Sequence, residues 1–251
     1  MKNYTTLIFD AFDTVVHINR TKLPSYKFAG QTVYTTAPAV HAAYARHFGS
    51  IDFEPFYAAF IASFKEVDAV RRTELKEVRS QERFRAMLRL LKHEADSVDP
   101  TVLDDLTASH MAQLQEVFEI RPDTLELLEW SAPRFRHAMI SNFDYAPALY
   151  TALDRYSIRS AFETIMISVE VGWRKPHPII FERTFKEMNI HPSEALFIGD
   201  QLYLDVLGAR QAGMDVVWLD NGSQAWTAEY PKPTFTVARI NEVIGILEDR
   251  S

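Results

Sequence analysis

Two carboxylates, a hydroxyl and an ammonium stand where a folded chain could bring them together. Asp10 ends the apolar run Leu7-Ile8-Phe9, Asp200 follows Phe197-Ile198-Gly199, and Ser141-Asn142 follow Met139-Ile140. Lys175 lies in Trp173-Arg174-Lys175-Pro176, shortly after a fourth apolar run that ends near Ser168. A short apolar run that stops abruptly at a polar residue reads as a buried parallel strand whose carboxyl end carries that residue. In an open α/β sheet such ends share one edge, and ligands bind in the crevice beside them. The set suits phosphoryl transfer. A carboxylate can attack phosphorus only where the phosphate's negative charge is offset, which calls for a divalent cation, a cationic side chain and hydrogen-bond donors around the oxygens.

The elements that must position these groups alternate along the second half of the chain. Helices are expected at 122–130, 147–156, 178–188 and 202–212, the last stopped by Gly213, with strands at 137–140, 164–167, 195–198 and 216–219 and a final helix at 241–247. Such alternation implies parallel pairing through right-handed crossovers, hence a doubly wound, Rossmann-like α/β sheet. From about residue 38 to 118 strand signals are almost absent and amphipathic helices follow one another. This stretch is expected to be an all-helical insertion. Phe84, Met87, Leu88 and Leu91 fall at helical spacing with Arg83, Arg85, Arg89 and Lys92 between them, and Phe53, Phe56, Tyr57, Phe60 and Phe64 recur in the same way. Both stripes are expected in the core of the insertion. The division expected is a core domain of residues 1–17 and 112–251 carrying a helical cap of residues 18–111, with 221–233 as a surface loop.

At 251 residues the chain can bury a core of this size and an insertion besides. A net charge of −7 offers no broad basic surface, so nucleic acid is not an expected partner. The absence of cysteine excludes disulfides, thiol catalysis and thiolate metal sites. No apolar run reaches membrane-spanning length, and the first residues lack the layout of a signal peptide. The expectation is a soluble, cytoplasmic protein with no membrane partner. Nothing in the sequence sets its oligomeric state.

In chain order, Phe9-Asp10-Ala11-Phe12-Asp13-Thr14-Val15, Ile140-Ser141-Asn142, Arg174-Lys175-Pro176 and Gly199-Asp200 through Asp205 resemble the four signature motifs of the haloacid dehalogenase superfamily. The likeness spans nearly the whole chain, is detailed over residues 174–181 and 199–209, and puts the helical insertion where the helical-cap subfamily carries its cap. The resemblance implies a phosphatase-like hydrolase of a small phosphorylated metabolite. In it Asp10 would be the nucleophile forming an aspartyl intermediate, with Ser141 and Lys175 as its catalytic partners and Ser141, Asn142 and Lys175 binding the substrate. Mg²⁺ would be held by Asp10, Asp200 and the main-chain carbonyl of Phe12, with Asp205 as a further acid at or behind the metal; the ion suits hard oxygen ligands.

One position departs from the phosphatase pattern. Those enzymes usually carry an Asp two residues after the nucleophile as general acid, and here that place is Phe12. Dehalogenases of the superfamily have an aromatic residue there, so a metal-independent 2-haloacid dehalogenase is the alternative. A regulatory or binding member with weak turnover is a further one. The acids Asp200 and Asp205 weigh toward the phosphatase, because the dehalogenases need no metal and typically lack the pair. Among neighbouring residues, Asp13 reads as structural beside Thr14. His17 and His177 read as surface or packing groups, with His17 a reserve proton donor. Arg71 and Arg72 would either grip an anionic substrate or form a solvated face. Trp173 is expected to line the crevice.

Overall fold

The computed structural model describes residues 3–249. Six parallel strands form the central sheet: β1 (Thr6–Asp10), β6 (Arg136–Ser141), β7 (Thr164–Ile167), β8 (Ala195–Gly199), β9 (Asp215–Leu219) and β10 (Phe235–Val237). Their spatial order is β10-β9-β8-β1-β6-β7, with Ile8 opposite Ala138 on one side and Phe197 on the other. Counted among themselves, the six strands have the doubly wound order 3-2-1-4-5-6, whose direction reverses between β1 and β8. That reversal opens a crevice at the carboxyl ends of the two strands.

The central strands β1, β8 and β9, and β6 beyond its first residue, are buried on both faces, and their side chains alternate between two cores. Leu7, Phe9, Met139, Leu196 and Ile198 pack on one side with α5 (Pro122–Ser131), α6 (Ala146–Arg155) and α10 (Val243–Glu248). Ile8, Ala138, Ile140 and Phe197 pack on the other with α8 (Pro178–Met188) and α9 (Gly208–Gln211). The short α7 (Ser168–Val171) follows β7 directly.

The insertion has its own core. Helices α1 (Ala37–Phe48), α2 (Phe53–Glu74), α3 (Ser80–Leu90) and α4 (Pro100–Gln115) bury Val40, Tyr44, Phe56, Phe60, Phe84, Met87, Leu88 and Leu106 together. Three expectations need correction here. The insertion is not all helix, because it opens on a hairpin of β3 (Ser25–Phe28) and β4 (Gln31–Tyr34), whose strands are too short to show a clear alternation. Phe64 is 44% exposed rather than core, whereas Arg83, expected on the polar face, is buried with its guanidinium 4.2 Å from the centre of the Phe60 ring. The hydrocarbon stem and flat head of an arginine make such a place tolerable next to aromatic rings. At the neck, β2 (His17–Ile18) pairs antiparallel with β5 (Phe118–Glu119). The expected boundary at 111/112 falls inside α4, whose Met111 packs into the core of the sheet. Among the described residues no helix is long and apolar enough to cross a membrane.

The region after β8 also differs from expectation. In place of a uniform α-helix over 202–212, the chain makes a wide π-helical turn over Leu202–Leu207 before α9. Both the Asp205 and Val206 amides donate to the Gln201 carbonyl. Widened turns of this kind are frequent at functional sites, because they re-aim a side chain that a regular helix would place elsewhere. β10 lies just beyond the expected loop, and its three residues are too few to carry a pattern in the sequence.

Candidate active site

The topology brings the predicted groups to one edge of the sheet. Asp10 ends β1, Asp200 follows β8 on the other side of the reversal point, Ser141 ends the neighbouring β6, and Lys175 comes from the loop after α7. All four are buried. The Lys175 ammonium is the centre of the array. It donates to Asp10 Oδ1, to Asp205 Oδ1 at 2.7 Å and to the Ile140 carbonyl at 2.9 Å. Three donors on one ammonium are thereby matched by three acceptors.

The backbone on either side of Lys175 is fixed by Asn142, whose Oδ1 accepts from the Lys175 amide at 2.7 Å and whose Nδ2 donates to the Lys175 carbonyl at 3.0 Å. Asn142, expected to bind substrate, is thus tied to the lysine loop through one of its two N–H donors and its carbonyl oxygen. Asp205 is held on both oxygens, with Oδ2 accepting from the Gln201 amide at 2.9 Å. Gly199 is what lets it lie there, since a Cβ at that position would come within 2.5 Å of the Asp205 carboxylate.

Buried negative charge outnumbers the positive charge beside it. Carboxylate oxygens of Asp10, Asp200 and Asp205 lie within 4.8 Å of one another, and one ammonium faces the three acids. Burial pushes the Asp10 carboxyl up to about 7, against the pull of Lys175 and with the help of Asp205. Burial also pushes Asp200 up to about 8, reinforced by Asp10, Asp205 and Asp13. Burial alone would depress the Lys175 ammonium, but Asp10 and Asp205 outweigh it and hold it above its ordinary value. Crowded like charges in a low-dielectric place behave in this way. Asp200 Oδ1 is buried without a partner, while its Oδ2 accepts from Gln201 Nε2 and Asn221 Nδ2, each at 3.2 Å. The hydroxyl of Ser141 is likewise buried and unpaired. An orphaned carboxylate oxygen beside two further acids fits a hard divalent cation, and an orphaned hydroxyl beside them fits an anionic ligand.

A cavity of about 170 Å³ is lined by Arg71, Arg72 and Leu75 of the insertion and by Lys175, Gln201 and Tyr203 beside the sheet edge, while Asp10, Ser141 and Asp200 are not among its lining residues. A wider surface groove of about 630 Å³ beside Tyr150 and Arg159 contains none of the predicted residues. The two arginines have different surroundings. Arg72 is solvated and paired with Asp68 at 2.7 Å, whereas Arg71 is buried and bound to Asp144 at 2.7 Å. Trp173 is not among the residues that wall the cavity; it stacks on His177, with ring centres 3.9 Å apart.

Phe12 has a packing partner on each side. Its ring centre is 5.2 Å from that of Phe118 in the neck and 4.6 Å from that of Phe143 in the loop after β6. An aromatic at this place is thus explained by packing, apart from any reaction. Asp13, with φ of 60°, ties the neck by accepting from the Ile18 amide and from Arg20, both at 3.2 Å. His17 meets Arg121 at 3.0 Å and Asp13 at 3.4 Å.

Sequence reasoning missed Glu77, Asp144 and Ser168, which join the cap to the loops of this site. No local pattern marks them, because their partners are brought close only by the tertiary fold.

A family model described as haloacid dehalogenase-like hydrolase matches residues 4–213. Glyceraldehyde 3-phosphate phosphatase of Pyrococcus furiosus is 36% identical over 96 residues, a match covering 38% of this chain and 40% of that protein. Among solved structures, the magnesium-bound HAD-hydrolase YfnB of Bacillus subtilis gives a TM-score of 0.67 at 22% identity, covering 98% of this chain and 99% of that one. The 2-haloacid dehalogenase of Pseudomonas syringae pv. Tomato DC3000 gives 0.70 at 18% identity, covering 99% and 100%. At these identities the structural likeness shows the fold, and the two fold relatives carry different names for their chemistry.

Proposed function

The chain belongs to the haloacid dehalogenase-like hydrolases, and from that premise we propose that it is a Mg²⁺-dependent phosphatase of small phosphorylated metabolites working through an aspartyl-phosphate. The observation that carries this reading is the excess of buried carboxylates: Asp10, Asp200 and Asp205 face a single ammonium, and Asp200 Oδ1 has no partner. A dehalogenase acting on an anionic haloacid would gain nothing from such a cluster, which would repel its substrate. Phosphatase names among the sequence relatives support the same reading, as does a magnesium-bound fold relative.

In this reaction Asp10 attacks phosphorus, the bond from phosphorus to the leaving oxygen breaks, and the alkoxide or phenoxide departs into the cavity below the cap. Water then attacks phosphorus, the bond from phosphorus to the Asp10 oxygen breaks, and phosphate and the carboxylate are released while a proton of the water passes through solvent to the departed alkoxide. Ser141 donates its free hydroxyl to a phosphoryl oxygen. Lys175 offsets charge on the phosphoryl group and on Asp10, and Asp205 holds it in place. Asp10, Asp200 and the Phe12 carbonyl would hold Mg²⁺, which when bound supplies charge neutralisation and polarises a phosphoryl oxygen. Asn142 holds the lysine loop. The cavity of about 170 Å³ suits a compact leaving group.

The test is a panel of phosphorylated metabolites and 2-haloacids, assayed for phosphate and halide release with Mg²⁺ and with EDTA. Phosphate release that EDTA abolishes is expected, and Asp10→Asn should remove it while the far-UV spectrum and melting temperature stay near wild type. Halide release in EDTA would replace this reading by the dehalogenase one.

A further inference from the structure

The lysine that the proposed reaction depends on is held from the cap. Glu77 lies in the link between α2 and α3, yet its side chain is only 1% exposed because it reaches down into the core domain. One of its oxygens accepts from the Ser168 hydroxyl and from Arg174, the residue immediately before Lys175. The other lies 3.0 Å from Arg71 Nε. Main-chain contacts run alongside. The Glu77 amide donates to the Gly172 carbonyl at 3.1 Å, and the Arg174 amide donates to the Leu75 carbonyl at 2.9 Å. Lys76 and Trp173 thus form an antiparallel bridge between cap and core.

The same carboxylate reaches the loop that follows Ser141. Ser168 Oγ, while donating to Glu77, accepts from the Phe143 amide at 2.9 Å, and Arg71 passes from Glu77 to Asp144 at 2.7 Å. Two guanidinium groups and two carboxylates are balanced in this buried array. A charge removed from such an array leaves its partners unpaired, so its members move together or not at all.

We propose that Glu77 is a positioning residue for Lys175: from the cap it fixes the 168–175 loop, so that seating of the cap and placement of the catalytic ammonium are one event. This rests on the reading of Lys175 as part of the reacting site. Glu77 touches no reacting group. A buried clasp that served only to attach the cap would affect stability and substrate affinity and leave the turnover of bound substrate alone.

The test uses Glu77→Gln, Glu77→Asp and the milder Ser168→Ala in the full chain with Mg²⁺, assayed on acetyl phosphate and on p-nitrophenyl phosphate. Glu77→Gln should lower kcat on both by about 10–100-fold, the range expected when a reacting group is misplaced by an ångström. KM should change little. Ser168→Ala should act in the same direction more weakly, and Glu77→Asp should recover part of the loss. In a Lys175→Ala background Glu77→Gln should have almost no further effect, since it acts through the lysine. Hydrogen exchange in Glu77→Gln should quicken more over residues 168–177 than over the strands of the central sheet. Losses that multiply independently of Lys175→Ala, an effect confined to KM, or unchanged exchange in 168–177 would each overturn the proposal. A wild type that releases neither phosphate nor halide would sink the hydrolase reading instead, and the exchange measurement would still decide whether Glu77 holds the loop.

Discussion

At the scale of the residue, Phe12 is the position where sequence and structure ask different questions. By sequence it stands where a phosphatase of this family keeps its general acid; by structure it is wedged between Phe118 and Phe143. Neither role lets it move a proton, and the nearest substitutes are engaged elsewhere, Asp13 with Ile18 and Arg20, His17 with Arg121. A positioned general acid typically contributes ~10²–10⁴-fold, most where the departing alkoxide is strongly basic. The enzyme is therefore expected to hydrolyse aryl and acyl phosphates better than alkyl phosphates, as read from kcat/KM over a series of leaving-group pKa values. A flat dependence, with a pH profile showing an essential acid, would mean that another residue supplies the proton. The packing also changes what Phe12→Asp should do. A simple gain of alkyl-phosphate turnover would be expected from the motif alone. With two aromatic neighbours the substitution exposes their faces and sets a charge between them, so a stability loss of about 1–3 kcal/mol should accompany any such gain. Urea unfolding of the variant beside its kinetics separates the two effects.

At the scale of the element, the strand ends were legible because a buried parallel strand has a compositional edge: apolar residues stop and a polar one begins, as at Phe9-Asp10 and Gly199-Asp200. The hairpin of β3 and β4, the two-residue strands at the neck and β10 were not, being too short to show a period. The widened turn over Leu202–Leu207 was hidden for another reason. Its cause is tertiary: Asp205 turns back to Lys175 and to the Gln201 amide, through space that Gly199 leaves open. Gly199→Ala should then act on the lysine at one remove. A methyl group there would meet the fully buried Asp205 carboxylate at 2.5 Å, and overpacking of this kind costs about 1–3 kcal/mol. The displaced Asp205 should also cost kcat, by about 10-fold or more if Lys175 shifts by a fraction of an ångström. Gly245→Ala is the matched control, since a Cβ there meets nothing within 4 Å and its place in α10 suits alanine. Melting curves and kcat for the two variants decide the matter; a Gly199→Ala enzyme with wild-type turnover would show that the close approach is not what holds Asp205.

At the scale of the whole molecule, the sequence told which groups share an edge but not how the cap sits on it, because the joining residues Glu77, Asp144 and Ser168 come from three separate stretches of the chain and find each other only in the fold. What the assembled molecule contains is a surplus of buried negative charge at the meeting point of its two parts, and this has a consequence for stability that no local feature would predict. Burial and their crowded like charges push Asp10 up to about 7 and Asp200 up to about 8, against 3.8 for a free carboxyl. The folded state therefore binds more protons than the unfolded one between about pH 4 and 8, so their contribution is fully present below pH 4 and is lost as pH rises through 7 and 8. A cation that takes the protons' place should restore what is lost. His110 works in the opposite direction: burial and the neighbouring Arg83 hold it well below 6.5, so the fold loses stability as pH falls below that value. Its contribution is the same with and without metal and cancels in the difference. The gain in melting temperature on adding saturating Mg²⁺ to EDTA-treated protein is thus expected to be small at pH 5.5 and to grow toward pH 8.5. For a chain of this length each kcal/mol corresponds to roughly 2–4 °C, so the change is within reach of calorimetry. Asp200→Asn should flatten the dependence, removing both a carboxylate that repels its neighbours and an oxygen that the ion would use. A gain that is equal at every pH, or none at any, would show that the acids at the reversal of the sheet are balanced by something other than a divalent cation.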